Sequence, residues 1–247
     1  MRTWRPLAAL AVLVASLLTV GGPASAAPPP HVITFVNHTG ATIWIGSTVN
    51  ADGSTAFVSL PMLTDGQSAA KAIPETNSPY HWRGTFFARQ RCSGVSGSTF
   101  HCLVGDCGRY ASHCVTGEQP ASLAEFNFDR SDGLAPWYDV SYVNAVSVPI
   151  TITPSGVPVP PPGTRPCSTA GCPGELLSAC PAANLRRAPD GSPMLCVNPA
   201  RDSKTAYSNA ITARCPRAYT WSRQDTEPGN QTVFDCPACS GFTITFQ

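Results

Sequence analysis

Two acidic side chains, Glu125 and Asp139, stand inside short runs of residues that are typical of β-strands. Glu125 belongs to Ser122–Phe126 and Asp139 to Trp137–Ser141, and each is the only acid in its run. A carboxyl group among apolar neighbours is a candidate for acid–base chemistry or for an acidic binding surface, because its protonation responds to burial and to nearby charge. The sequence therefore raises the question of whether this surface does chemistry or only binds.

The first 26 residues have the pattern of a secretory signal peptide. Arg2 and Arg5 precede the uncharged apolar run Leu7–Val20, and Ala24–Ala26 supplies the small residues that a signal peptidase requires. This run is too short for a comfortable membrane span, and no later run is longer. We therefore expect a secreted, extracellular protein without a membrane span.

Cysteines must help to hold the acidic strands in place. Four of the 11 cysteines fall between Cys92 and Cys114, just before those strands, and all 11 follow the signal segment. Cysteines in a secreted chain favour disulfides over metal ligands. We therefore predict a disulfide-stapled scaffold with no metal and no cofactor.

The near-neutral balance of charges argues against partners that would bind mainly through their own strong charge. The chain carries 16 basic and 15 acidic residues. Loss of Arg2 and Arg5 with the signal leaves 14 basic residues against 15 acidic ones, so the formal net charge falls from +1 to −1. This balance argues against nucleic acid and against an anionic membrane surface as partners.

The composition predicts a mainly β chain of short elements, since it has 25 prolines and 20 glycines. The turn residues Asn37–Gly40 separate two β-rich runs, His31–Phe35 and Ala41–Ile45, and predict a hairpin at the start of the fold. No helix is predicted before Pro149. Further strands are predicted at Ala56–Leu60, Thr85–Arg89, Ser122–Phe128, Tyr138–Ser141, Val146–Thr153 and Phe242–Phe246.

Proline-rich residues 153–166 mark a boundary in the chain. Short helices are predicted beyond it, at Glu175–Cys180 and Asp202–Ala213. The final strand needs a sheet to join, so we expect residues 27–153 and 216–247 to form one β core. Residues 154–215 would then be an inserted proline-rich linker and cysteine-rich lobe.

Several motifs follow one another in a recognisable order. They are Phe35-Val36-Asn37, Arg89 three residues before Cys92, Gly105-Asp106-Cys107-Gly108, Leu123-Ala124-Glu125-Phe126, Tyr138-Asp139-Val140-Ser141 and Cys215-Pro216. This order resembles the thaumatin-like proteins, the secreted family that includes osmotin, zeamatin and thaumatin. The resemblance covers nearly all of the chain after the signal. It implies a flattened β-sandwich with an inserted disulfide-rich, partly helical lobe.

The resemblance also implies a set of disulfides with Cys239 left unpaired. Members of the family usually tie the first strand to the last by a disulfide, but Thr39 and Gln247 stand at those two positions here. The implied pairs are Cys92–Cys102, Cys107–Cys114, Cys167–Cys236, Cys172–Cys215 and Cys180–Cys196. The sequence leaves open a second connectivity, in which Cys239 replaces Cys236 as the partner of Cys167.

A cleft between sandwich and lobe, lined by one arginine and four acids, is a further implication of the resemblance. Asn144 and Arg217 stand where the family has aspartates. Nearby arginines would keep the carboxyls ionised and weaken any proton donor. The implied binding-cleft residues are Arg89, Glu125, Asp139, Asn144, Arg217 and the aromatic Tyr138.

Three functions follow as hypotheses. The first is a secreted, monomeric protein that binds β-1,3-glucan or a related cell-wall polysaccharide, with an antifungal or defence role. The second is a weak endo-β-1,3-glucanase, with Glu125 as the catalytic acid and Asp139 as its partner. The third is a non-catalytic scaffold without a sugar site, in which Glu125 and Arg89 form a structural ion pair.

Overall fold

The computed structural model describes residues 29–75, 81–157 and 166–247. The predicted signal peptide and most of the predicted proline-rich linker lie outside these residues. The strands within them are β1 (Val32–Asn37), β2 (Ile43–Val49), β3 (Met62–Leu63), β4 (Ser68–Ala72), β5 (Arg83–Ser93), β6 (His101–Val104), β7 (Leu123–Asn127), β8 (Trp137–Ser141), β9 (Ala145–Val146), β10 (Ile150–Ser155), β11 (Ala170–Gly171), β12 (Leu185–Arg187), β13 (Pro193–Val197), β14 (Val233–Asp235) and β15 (Gly241–Phe246). The fold is mainly β, as predicted.

One sheet joins the two ends of the described chain. Its strand order is β11-β10-β15-β1-β4. β1 and β15 run parallel, with Val32 opposite Gly241 and Asn37 opposite Phe246. The prediction that the C-terminal strand belongs to the sheet at the start of the chain is confirmed.

A larger sheet lies on the other side of the core, with the order β14-β8-β7-β5-β2-β3 and with β6 paired to β5. Apolar side chains from both sheets interdigitate between them, as in other β-sandwiches. They include Ile33, Phe35, Ile152 and Phe242 from the smaller sheet and Ile45, Phe86, Phe126 and Tyr138 from the larger.

The predicted hairpin between the first two strands is wrong, because β1 and β2 belong to different sheets. Asn37 is buried, and its side-chain amide donates to the carbonyls of Ala41 (2.7 Å) and Leu63 (2.9 Å). The connection therefore passes from one sheet to the other, and β1 and β2 bury their apolar residues from opposite sides of the core.

The predicted strand at Ala56–Leu60 is also wrong, since this segment is irregular. Its Phe57 ring packs edge-on against Trp82 and Phe86. Apolar residues here cover the core without joining a ladder.

The outer face of the large sheet supports the lobe. A short sheet of order β12-β13-β9 and a second apolar cluster around Phe87, Leu123 and Leu195 lie there. The helix α1 (Ala206–Arg214) begins at Thr205, which forms a capping box with Ser208. This confirms the predicted later helix, whereas the predicted Glu175–Cys180 helix is only a 3₁₀ turn, Leu177–Ala179.

Five disulfides brace the lobe and the edges of the sheets. They are Cys92–Cys102, Cys107–Cys114, Cys167–Cys236, Cys172–Cys215 and Cys180–Cys196, the same pairs that the resemblance implies. Cys239 is free and buried. Among the described residues, no helix is long and apolar enough to cross a membrane.

Candidate functional site

A row of side chains crosses the outer face of the large sheet. The strand register places Thr48 opposite Thr85, Thr85 opposite Glu125, Glu125 opposite Asp139, and Asp139 opposite Val233. Because side chains alternate between the two faces of a strand, all five point away from the sandwich core. The two acids singled out in the sequence are therefore cross-strand neighbours.

A cleft of about 680 Å³ lies over this row, between the sheet and the loops that carry Arg201, Tyr219 and Asp225. That volume is within the range of small-molecule sites. Its charged and aromatic walls come from both sides and include Glu118, Glu125, Asp139, Asp225, Arg201, Trp137 and Tyr219. Asn144, a predicted cleft residue, also lines it.

The two central carboxyls are electrostatically coupled. Burial raises the pKa of Asp139 well above its usual value, and the adjacent Glu125 carboxylate raises it further through its charge and a hydrogen bond. Burial also raises the pKa of Glu125, although hydrogen bonds from Ser141 and Asp139 offset part of this increase. Two carboxyls in contact cannot both ionise cheaply, so the pair retains a proton above the pH at which an isolated acid loses it.

The proton belongs mainly to Asp139. Asp139 is only 4% exposed, whereas Glu125 is partly exposed to the cleft. Asp139 Oδ1 is buried without a hydrogen-bond partner in the part of the chain that the structure describes. Because a neutral carboxyl tolerates such burial better than a charged one, Asp139 keeps the proton and Glu125 presents the negative charge.

Two further acids surround the pair. The negative charge of Asp225 contributes to the raised pKa of Asp139, and that of Glu118 contributes to the raised pKa of Glu125. Thr48 Oγ1 donates to Glu118 (3.0 Å) and lies 2.8 Å from Thr85 Oγ1. The Arg201 guanidinium works in the opposite direction and lowers the pKa of Glu125.

Trp137 forms an aromatic wall at one end of the cleft. Its indole Nε1 donates to Asp132 Oδ2 (3.0 Å), which also accepts from the Asn127 side chain (3.0 Å). Asp132 Oδ1 accepts from the backbone N–H of Leu134 (3.1 Å), a residue that is 65% exposed at the cleft mouth. The loop before β8 therefore fixes the orientation of the indole.

Tyr219 reaches the cleft because its backbone is fastened to the end of β8. Its N–H donates to the Val140 carbonyl (2.8 Å), and its carbonyl accepts from Tyr142 (2.7 Å). Burial raises the pKa of the Tyr219 hydroxyl, as do the nearby carboxyls. The hydroxyl therefore stays protonated and can donate a hydrogen bond.

Arg89 is outside the cleft, contrary to the sequence-based expectation. It lies on the same face of β5 as Thr85 but four residues further on, where the loop closed by the Cys107–Cys114 disulfide covers it completely. Its guanidinium donates to the carbonyls of Tyr110 (2.7 Å) and Gly108 (3.0 Å). Its ion pair is with Asp106 (3.4 Å), not with Glu125 as the scaffold hypothesis expected.

Two other predicted cleft residues also lie elsewhere. Tyr138 is fully buried in the sandwich core, and its hydroxyl donates to the Ser168 carbonyl. Arg217 lies against the Phe234 ring (4.6 Å) and donates to the Thr169 carbonyl (2.8 Å from Nε). Strand alternation makes Trp137, not Tyr138, the aromatic residue of β8 that faces the cleft.

Four charged cleft residues escaped the sequence analysis: Asp235 at the end of β14, and three that lie in loops. Glu118 precedes β7, Arg201 follows β13, and Asp225 lies in the 3₁₀ turn Gln224–Thr226. Buried Gln224 anchors that turn, since its Oε1 accepts from the Thr220 N–H (2.8 Å). Loops have no periodicity that predicts where a side chain points. No three His, Cys, Asp or Glu side chains are grouped as a metal site within the described ranges.

Comparison with known protein families shows which family the chain belongs to. The model of the thaumatin family matches residues 37–247. The chain belongs to the thaumatin family. Thaumatin-like protein 2 of Prunus persica is 30% identical, over 98% of this chain and 98% of its own length.

Two other similar proteins have names that state an activity. A protein of Prunus avium named glucan endo-1,3-beta-glucosidase is 28% identical over 94% of each chain. Among solved structures, the thaumatin-like xylanase inhibitor TLXI matches with a TM-score of 0.48 and 14% identity, over 87% of this chain and 97% of that one.

Proposed function

We propose that this thaumatin-family protein binds β-1,3-glucan or a related cell-wall polysaccharide in the cleft. The observation that carries the proposal is the partly exposed Glu125 carboxylate between two aromatic side chains, Trp137 and Tyr219. A carboxylate accepts hydrogen bonds from sugar hydroxyls, while an aromatic side chain packs against the apolar face of a sugar ring. The cleft offers both kinds of contact.

The roles of the two carboxyls differ. Glu125 is the group that touches a sugar, because it is the more exposed and holds the charge. Asp139 is a positioning residue, since its proton and hydrogen bond keep Glu125 in place and soften the repulsion in the acidic cleft. Glu118, Asp225 and Arg201 complete a polar rim that orients hydroxyl groups.

Slow hydrolysis of the glucan is the second candidate. The raised pKa values of the carboxyl pair favour it, as does the relative named glucan endo-1,3-beta-glucosidase. Hydrolysis needs two carboxyls on opposite sides of a glycosidic bond, about 5 Å apart or more. Glu125 and Asp139 are instead hydrogen-bonded to each other, and the protonated one is buried. We therefore place binding first.

We also propose that the protein acts outside the cell, in defence against organisms with glucan walls. The signal-like N-terminal sequence and the five disulfides support extracellular action, since disulfides persist in oxidising compartments. Inhibition of fungal growth by the purified protein, lost in a cleft variant, would support the defence role.

A binding assay with two variants tests the cleft. Parent, Glu125→Gln and Asp139→Asn proteins are each mixed with insoluble β-1,3-glucan, and the unbound fraction is measured. Glu125→Gln is expected to weaken binding by about tenfold, the value of one charge-assisted hydrogen bond. Asp139→Asn should have a smaller effect, because asparagine still donates to Glu125. Glu227→Gln, which breaks an exposed ion pair with Lys204, is the control and should bind like the parent.

The same samples distinguish the alternatives. Release of reducing sugar by the parent, abolished by Glu125→Gln while binding persists, would overturn the binding proposal in favour of hydrolysis. Absence of binding to the glucan by all of these proteins would favour a scaffold without a sugar site.

A further inference from the structure

A second depression of about 380 Å³ adjoins the first. Its lining includes Pro120, Val197, Asn198 and Pro199, none of which lines the main cleft. It also includes Glu118, Val143, Asn144 and Arg201, all four of which line the main cleft as well. The two depressions therefore share a wall and form one longer trough.

The trough follows β8 and continues past its end. Trp137, Asp139 and Ser141 point into the main cleft from alternate positions of β8. At about 3.3 Å of strand rise per residue, Trp137 and Ser141 are roughly 13 Å apart. Asn144 lies just beyond the strand, at the junction with the second depression, so the trough extends beyond this length.

The second depression combines apolar surface of its own with polar groups that it shares with the first. Val197, Pro120 and Pro199 supply apolar surface, whereas Asn144, Glu118 and Arg201 supply polar groups at the junction. An asparagine side chain both donates and accepts hydrogen bonds, so Asn144 suits a hydroxyl-rich ligand that passes from one depression to the other.

Hydrogen bonds preform the second depression. The Asn198 side-chain amide donates to the carbonyls of Val143 (2.8 Å) and Thr220 (3.2 Å), and the Asn198 N–H donates to the Asn144 carbonyl (3.0 Å). The Ala200 N–H in turn donates to Asn198 Oδ1 (3.1 Å). Asn198 thus fastens the loop after β13 to the segment after β8, which lowers the ordering cost of binding.

We propose that the second depression is a further saccharide subsite, so that the trough holds an internal segment of a long, linear polysaccharide. This inference rests on the proposed function of the main cleft and names the ligand class more closely. A short oligosaccharide fills the main cleft alone, whereas a longer one also reaches Asn144 and the wall formed by Val197 and Pro199.

Calorimetry with linear β-1,3-gluco-oligosaccharides of increasing length tests the subsite. For the parent, affinity is expected to rise with length beyond the shortest oligosaccharide that binds, by about tenfold in total, and then to level off. Pro199→Trp and Val197→Phe, which narrow the second depression, should remove most of this gain and leave the affinity of the shortest ligand unchanged.

Pro189→Trp is the matched control, because Pro189 is an exposed proline of the same lobe outside both depressions. It should retain the full gain with length. Affinity that is independent of length, or a gain that survives in both filled variants, would overturn the subsite while leaving the main cleft intact. Absence of binding at every length would instead overturn the proposed function together with the subsite.

Discussion

Glu125 and Asp139 face each other across β7 and β8 and share a hydrogen bond, with Asp139 buried and Glu125 at the cleft surface. Their raised pKa values correct the expectation that nearby arginines would keep both acids ionised. Arg89 and Arg217, the arginines behind that expectation, do not line the cleft. Burial and mutual repulsion therefore dominate the protonation of the pair.

The buried carboxyl predicts a pH dependence of stability. The folded protein holds a proton on Asp139 that the unfolded chain releases near pH 4. Stability is therefore fully present below this pH and falls as the pH rises towards the raised pKa of the folded state, by up to about 1.4 kcal/mol per pH unit. Asp139→Asn removes this titration, so its free energy of unfolding in urea should fall less steeply with pH than that of the parent.

Asp190→Asn is the control for this measurement. Asp190 is exposed, and hydrogen bonds from Ser192 and Arg91 lower its pKa to about 2. Asp190 titrates below the pH range in which Asp139 affects stability. The free energy of unfolding of Asp190→Asn should therefore fall with pH as steeply as that of the parent. Parallel curves for Asp139→Asn and the parent would show that Asp139 is ionised in the folded state.

The contact between Trp137 and Asp132 predicts a positioning effect on glucan binding. Trp137→Ala should weaken binding by about tenfold, because it removes an aromatic wall of the cleft. Asp132→Ala keeps the indole but removes the hydrogen bond that orients it, so a smaller loss of glucan binding is expected. Trp137→Phe combined with Asp132→Ala should lose no more than Trp137→Phe alone, since phenylalanine cannot donate to Asp132.

Calorimetry and tryptophan fluorescence can measure glucan binding by these variants. Asp65→Ala serves as the control, because Asp65 accepts one backbone N–H, from Gly40, outside the cleft. Additive losses in the double variant would mean that Asp132 does not act through Trp137.

The Glu75 carboxylate predicts acid sensitivity at the start of the fold. Burial alone would raise its pKa, but hydrogen bonds and charge from His31 and a hydrogen bond from Arg130 outweigh this effect and lower it. Glu75 Oε1 lies 2.7 Å from His31 Nδ1, and Oε2 lies 3.0 Å from Arg130 Nη2. Glu75→Gln should therefore cost about 1–3 kcal/mol at neutral pH.

The sign of the pH effect follows from the lowered pKa. The contribution of Glu75 is present above the unfolded pKa of about 4.3 and is lost as the pH falls through the folded pKa. Urea unfolding should show that the difference in the free energy of unfolding between the parent and Glu75→Gln decreases below pH 4. Glu227→Gln should show little effect at either pH, because its ion pair with Lys204 is exposed. If the difference between the two proteins stays the same at low pH, the ionisation of Glu75 does not contribute to stability as predicted.

The pairing of β1 with β15 predicts that a terminal disulfide would stabilise the protein. The His38 N–H donates to the Phe246 carbonyl (2.7 Å), which places Thr39 close to Gln247. Thr39→Cys combined with Gln247→Cys should raise the free energy of unfolding by about 3–5 kcal/mol under oxidising conditions, because it closes a long loop. Each single variant, and the reduced double variant, should show no gain.

A double variant that forms the bond without a gain in stability would indicate strain at these two positions. A double variant that stays reduced under oxidising conditions would show that the two Cβ atoms do not approach each other closely enough.

The sequence by itself determined several of the strands and the two central acids. Apolar and β-branched runs predicted β5, β7, β8, β10 and β15, because strand periodicity is local. The motif order placed Glu125 and Asp139 in neighbouring strands and implied the disulfide pairs that the structure contains. These features need only short-range patterns or a resemblance that spans the chain.

Tertiary structure decided which side chains share the cleft. Alternation along β8 shows that Trp137 and Tyr138 point to opposite faces, but only the packing of the two sheets tells which face is the core. Arg89 and Thr85 lie on one face of one strand, and Arg89 is buried only because the Cys107–Cys114 loop folds over it. Glu118, Arg201 and Asp225 come from loops whose positions depend on contacts far away in sequence, so no local pattern could reveal them.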